Sequence, residues 1–141
     1  MSIVIKEFDD LYLLANDILL VSKLENHIYH TAERLSNNKY KSGSWKSVAF
    51  KEKDGFVFVL NGSEEFELAF ENYFSATVDS KTFSVIVFIY AVNEFVNAIY
   101  EKDEDILVNA LIDILDNLKS TEINYILDNK KKVSQVFSAI D

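Results

Sequence analysis

The chain has 141 residues, of which 49% are hydrophobic and 26% charged, and it carries a formal net charge of −9. This length and balance predict one globular domain spanning residues 1–141 and argue against disorder. The absence of cysteine excludes disulfides, thiolate metal sites and thiol nucleophiles, and the excess of acid disfavours direct nucleic-acid binding, which needs clustered Lys and Arg.

The first residues, MSIVIKEFDDLYLL, lack a basic start followed by an apolar stretch and a small-residue cleavage site, so no secretion signal is expected. The longest apolar run, Val85 to Val92, has eight residues, whereas a membrane span needs about 20. A cytoplasmic protein without a membrane partner is the expectation.

Leu11, Leu14, Ile18 and Val21 recur at helical spacing, with Leu13 and Leu20 widening the stripe. The pattern continues through Leu24, Ile28 and Leu35 until Ser36-Asn37-Asn38 ends it, with a break near Ser22 as an alternative. The middle of the chain holds all three glycines, Gly43, Gly55 and Gly62, and glycine punctuates tight turns. Residues 45–50 and 56–60 read as strands joined at Asp54-Gly55, a strong hairpin signal. Asn61-Gly62 reads as a second hairpin turn of the same type. Phe66, Leu68 and Phe70 then alternate with Glu65, Glu67 and Glu71, as in a strand with one buried face. A fourth strand over residues 74–78 completes an antiparallel meander.

Asp79 and Ser80 are helix-capping types. The apolar segment after them is rich in β-branched residues, which favour strand. Its continuation through Phe95, Val96, Ile99 and Tyr100 exceeds strand length, so it predicts a long buried helix. Asp103 is a cap candidate for the next helix, whose stripe is Ile106, Leu107, Ala110, Leu111, Ile114, Leu115 and Leu118. Shorter helices over residues 121–128 and 131–140 finish the chain. The expected class is α+β: an antiparallel β-meander of about four strands packed against several α-helices.

Catalytic chemistry finds little support. His27, His30 and Glu33 share one side of a helix and have the ligand types of a zinc site, but no fourth ligand or partnered base accompanies them. The chain has no Gly-x-Ser-x-Gly turn and no Gly-rich phosphate loop, so no enzyme activity, metal or cofactor is expected. The carboxylates group at Glu64, Glu65, Glu67 and Glu71 and again from Glu94 to Asp116. Mimicry of DNA phosphates is one reading of them, but fourteen interspersed Lys and Arg make solvated faces the better one. Trp45, the only tryptophan, either anchors the sheet on the helices or sits at an interface, where Trp is enriched.

Three stretches together resemble the ArdB/KlcA family of antirestriction proteins. The first runs from Arg34-Leu35 through Tyr40 and Gly43-Ser44-Trp45 to Asp54-Gly55-Phe56. The second is Glu71-Asn72-Tyr73-Phe74, leading through Asp79-Ser80 into the apolar segment. The third is the tail Val136-Phe137-Ser138-Ala139-Ile140-Asp141. The resemblance covers about residues 28–141. It departs from the family at Ser42 and Asp54, where the family carries glycine, and it lacks the family's Met-Ala-Pro.

This resemblance implies a small, acidic, non-enzymatic protein of plasmids, phages and other mobile elements. Such a protein reduces the action of type I restriction enzymes on incoming DNA and is not a DNA mimic. The implied partner is a host protein complex, the type I restriction enzyme, engaged by a monomer or weak homodimer. Trp45, Asn72, Tyr73 and Asp141 occupy motif positions and are the candidate binding residues. The alternative is an anti-CRISPR or another phage- or plasmid-encoded inhibitor or adaptor that binds a host protein.

Overall fold

The computed structural model describes residues 3–141; Met1 and Ser2, at the start of the expected 1–141 domain, lie outside the described residues. A short 3-10 turn, Phe8–Leu13, precedes α1 (Ile18–Leu35). Four strands follow: β1 (Ser44–Ala49), β2 (Phe56–Asn61), β3 (Glu65–Ala69) and β4 (Ser75–Asp79). The helices α2 (Ser80–Ile99), α3 (Asp105–Asn117), α4 (Ile123–Leu127) and α5 (Lys130–Ile140) complete the chain, with a π turn, Leu118–Glu122, between α3 and α4. The class is α+β, as expected.

The segment that fitted either strand or helix is α2, and it is the centre of the molecule. It is apolar on most of its faces, with polar Asn93, Glu94 and Asn97 toward its end, and such a helix must be covered on most sides. Phe83, Val85, Ile86, Val87, Phe88, Ala91 and Val92 are all buried. They are covered by α1, α3 and α5 and by strands of both hairpins. Asp79 caps the helix by accepting a hydrogen bond from the Thr82 N–H at 2.8 Å.

The strands do not form one continuous meander. β1 pairs with β2 and β3 with β4, both antiparallel, in two separate two-stranded sheets. The cause lies at residues 60–64. The Leu60 N–H donates to Ser84 Oγ at 2.8 Å, and Ser80 Oγ donates to the Glu64 carbonyl at 2.8 Å. Two serines of α2 therefore hold the chain at the point where β2 would turn back into β3. A two-residue hairpin at Asn61-Gly62 would need positive φ at both positions, and neither residue has it. Phe66 stacks on Phe83 with ring centres 4.1 Å apart, which seats the second hairpin on α2 instead of on β2.

The Asp54-Gly55 turn does join β1 to β2, but through a six-residue loop, 50–55. Gly55 has φ 131°, and a Cβ there would lie 2.6 Å from the Phe50 ring. A side chain is therefore excluded both by conformation and by space.

Two further boundaries differ from expectation. The first helical stripe breaks at residues 14–17, not near Ser22, because Asp17 caps α1 through the Leu19 N–H at 3.0 Å. The break turns Leu13 and Ile18 to the surface, while Leu11 and Val21 are buried. Asp103 does not cap α3. Glu104 holds that position, and Ile106 faces outward.

Two buried glutamates anchor irregular segments. Glu122 is fully buried (0% exposed). Its carboxylate accepts from the backbone N–H groups of Lys51, Glu52 and Lys53 in the β1–β2 loop, at 2.5–3.3 Å. Glu104, also buried, accepts from the N–H groups of Asn16 and Asp17 at 2.7 and 2.8 Å. Each satisfies donors that no strand or helix pairs, and such groups are costly to leave unmade. Glu122→Ala and Glu104→Ala are each expected to lower the unfolding free energy by about 1–3 kcal/mol. Urea titration checks this: the midpoint should fall with the slope unchanged.

Candidate functional site at the hairpin tip and C-terminal helix

The second hairpin and α5 meet at one corner of the molecule. Asn72 lies in the β3–β4 turn, and its Nδ2 donates to the carbonyls of Ser138, Ala139 and Asp141 at 3.2, 3.0 and 2.9 Å. The last carbonyls of a helix have no partner within the helix, so Asn72 caps α5 from a distant loop. Its Oδ1 accepts from the Phe74 N–H at 3.1 Å and shapes the turn itself. The Tyr90 hydroxyl donates to the Ala139 carbonyl at 2.7 Å. Burial pushes the Tyr90 pKa up; Arg34 opposes the rise and Glu94 adds to it.

The other end of α5 is also fixed. Lys132 Nζ lies 2.7 Å from Asp79 Oδ2. Burial alone would raise the Asp79 pKa, but hydrogen bonds from Lys132 and Thr82 outweigh it and hold the group below its ordinary 3.8.

Tyr73 sits at the tip of this corner. It is 97% exposed and has φ 68°, the left-handed region that suits Gly or Asn and penalises a bulky side chain. Its ring therefore gains almost nothing from the fold while its backbone is strained. Strain of this kind collects at binding and active sites.

Beside the tip lies a groove of about 830 Å³ lined by Asn72, Glu67, Glu71, Tyr90, Arg34 and Asp141, among others. Arg34 Nη2 straddles the Glu94 carboxylate at 3.0 and 3.2 Å, and His27 Nε2 reaches the same carboxylate at 3.2 Å.

Asn72, Tyr73 and Asp141 thus come together, and Trp45 does not join them. Its indole stacks on Phe58 with ring centres 5.7 Å apart and donates from Nε1 to the Tyr40 hydroxyl at 2.9 Å. Tyr29, from α1, packs against the indole at 5.9 Å, and burial followed by the charge of Glu25 pushes the Tyr29 pKa up to about 12. Trp45 therefore joins the first hairpin to α1.

The three residues with zinc-ligand types part company: His27 turns to Glu94, while His30 and Glu33 line a shallow depression with Asn37 and Asn38. Among the described residues no three His, Asp or Glu side chains gather as a metal cluster. Tyr90 and the Arg34–Glu94 pair escape sequence reasoning because their partners lie on other elements. One faint signal exists: His27 and Arg34 are two turns apart on the same face of α1.

No family model matches the chain, and no curated protein matches it in sequence. A solved structure does match. It superposes with a TM-score of 0.71 over 94% of this chain and 87% of the other, at 19% identity. That structure is described as showing that the KlcA and ArdB proteins have a novel fold and antirestriction activity against type I DNA restriction systems in vivo but not in vitro. The chain has the ArdB/KlcA fold. Within that fold, Tyr73 is an exposed feature of this corner that local structure does not explain.

Tyr73→Asn is expected to stabilise the protein by about 1 kcal/mol, because Asn tolerates the left-handed backbone; a thermal melt checks the direction. Asp79 also predicts an acid dependence. Its folded pKa is depressed, so its contribution to stability is present above pH 3.8 and is lost as pH falls through the folded value. Asp79→Asn should therefore lower the melting temperature at neutral pH, with the gap to the parent protein closing as pH falls below 3.8.

Proposed function

We propose that this protein relieves type I restriction of incoming mobile-element DNA by acting on the restriction machinery, and that it does so by binding and not by catalysis. The observation that carries this reading is the fold match over nearly the whole length of both chains. The family-like stretches support it, since the second and third of them meet in space where Asn72 holds the end of α5.

The contact would include Tyr73. Tyr is enriched among residues that dominate binding energy, and this one is presented away from the fold on a strained turn. The acidic surface suits a basic protein partner and disfavours DNA itself. The DNA-mimic pattern is further weakened because Glu104 is buried and Glu94 is paired with His27 and Arg34.

Plating unmodified phage on a restricting host, with and without the protein, tests the proposal. Plating should rise toward the level on a non-restricting strain, and Tyr73→Asn should reduce the relief even though the variant is more stable. Unchanged plating across several type I systems would refute the reading.

A further inference from the structure

A second surface lies away from the Tyr73 corner and shares no lining residue with its groove. The 3-10 turn, α3 and the β1–β2 loop enclose a groove of about 790 Å³. Its apolar lining comes from Ile3 and Ile5 before the 3-10 turn, from Leu13 and Leu14, and from Ile106, Ala110 and Ile114 on α3. Leu13 is 68% exposed and Ile106 67% exposed.

Glu104 ties the turn before α1 to the start of α3, and the first turn of α1, next in the chain, exposes Ile18 and Leu19, which do not line the groove. Leu13 and Ile106 thus face solvent across one groove. Scattered apolar residues need no explanation, but a contiguous patch of them marks an interaction site.

The charges around the patch select its occupant. Asp54 and Asp113 stand on the rim against Lys53 alone. From residue 101 to the end of α3, Glu101, Asp103, Asp105, Asp113 and Asp116 are exposed against the single Lys102. A second copy of the chain would bring the same acids face to face, and the net charge of −9 repels both nucleic acid and the anionic surface of a bilayer. The 3-10 turn and α3 supply most of the apolar lining. Such a lining suits a helix laid into the groove by its apolar face.

We propose that this groove docks a basic amphipathic helix of a partner protein, with apolar anchors between Leu13 and Ile106 and flanking Lys or Arg against the acidic rim. The proposal deepens the antirestriction reading by giving the restriction machinery a place to bind, but the docking itself is measurable without that reading.

Two labelled helical peptides serve as probes: they share one leucine stripe and carry either lysine or glutamate at the remaining positions. Fluorescence anisotropy should show the lysine peptide binding and the glutamate peptide not. Binding should weaken as salt rises and fall about tenfold or more in Leu13→Glu and in Ile106→Glu. Each substitution adds a negative charge, so non-specific attraction to the lysine peptide would increase. A loss therefore reports the apolar contact. Both side chains are exposed, so the variants should melt with the parent protein, and Ile112→Gln, on α3 outside the groove, should bind as the parent does.

Equal binding of both peptides, absence of binding, or undiminished binding by Leu13→Glu and Ile106→Glu would each overturn the proposal. So would finding that these substitutions instead abolish self-association in sedimentation or adsorption to phosphatidylglycerol vesicles. In the plating assay both variants should lose relief at undiminished soluble level. A parent protein that gives no relief would count against the antirestriction reading alone, leaving the peptide measurements to decide the docking site.

Discussion

Everything in this molecule is arranged around the need to cover α2. A twenty-residue helix with buried side chains on nearly every face cannot lie on a surface. It requires partners on most sides, and α1, α3, α5 and the two hairpins supply them. Length and apolarity alone would also suit such a helix to a bilayer, but here protein occupies the positions that lipid would take. The split of the strands into two hairpins follows from the same demand. Ser80 and Ser84 fix Leu60 and Glu64 to α2 itself, and strands of both hairpins pack on the helix.

Two of the segments that are neither helix nor strand depend on buried carboxylates. Glu122 holds the β1–β2 loop and Glu104 the turn before α1. In both cases one acid gathers backbone N–H groups from a distant part of the chain. The π turn before α4 ends on Glu122. Such turns admit an extra residue into a helix and recur at positions with a particular task; the task here is to bring a carboxylate under a loop. These anchors also hold Asp54 and Leu13 near α3, so the apolar groove is a consequence of how the irregular segments are fixed.

Two places expose side chains that local physics does not justify. Tyr73 spends backbone strain on a ring that touches little, and Leu13 and Ile106 leave apolar surface in water. Sequences that are otherwise consistent across levels break their own rules where function requires it. The ArdB/KlcA fold gives both places a shared frame: one at the end of α5 beside the second hairpin, the other at the start of α3.

The α+β class, the long buried helix over residues 80–99, the helical stripe of α3 and the hairpin at Gly55 were all legible in the sequence, because periodicity and turn chemistry act over a few residues. The resemblance was also legible, and the fold match agrees with it. Pairing between elements was not legible. Nothing local says that Leu60 donates to Ser84 instead of to a third strand, that Ile106 faces outward although it lies on the apolar stripe, or that Glu104 and Glu122 leave the acidic surface to become internal anchors. Likewise Asn72 reads as an ordinary turn residue until α5 packs beside it. Contacts of this kind join residues dozens of positions apart. The chain's local preferences are compatible with several such pairings, and only the closing of the core around α2 selects one.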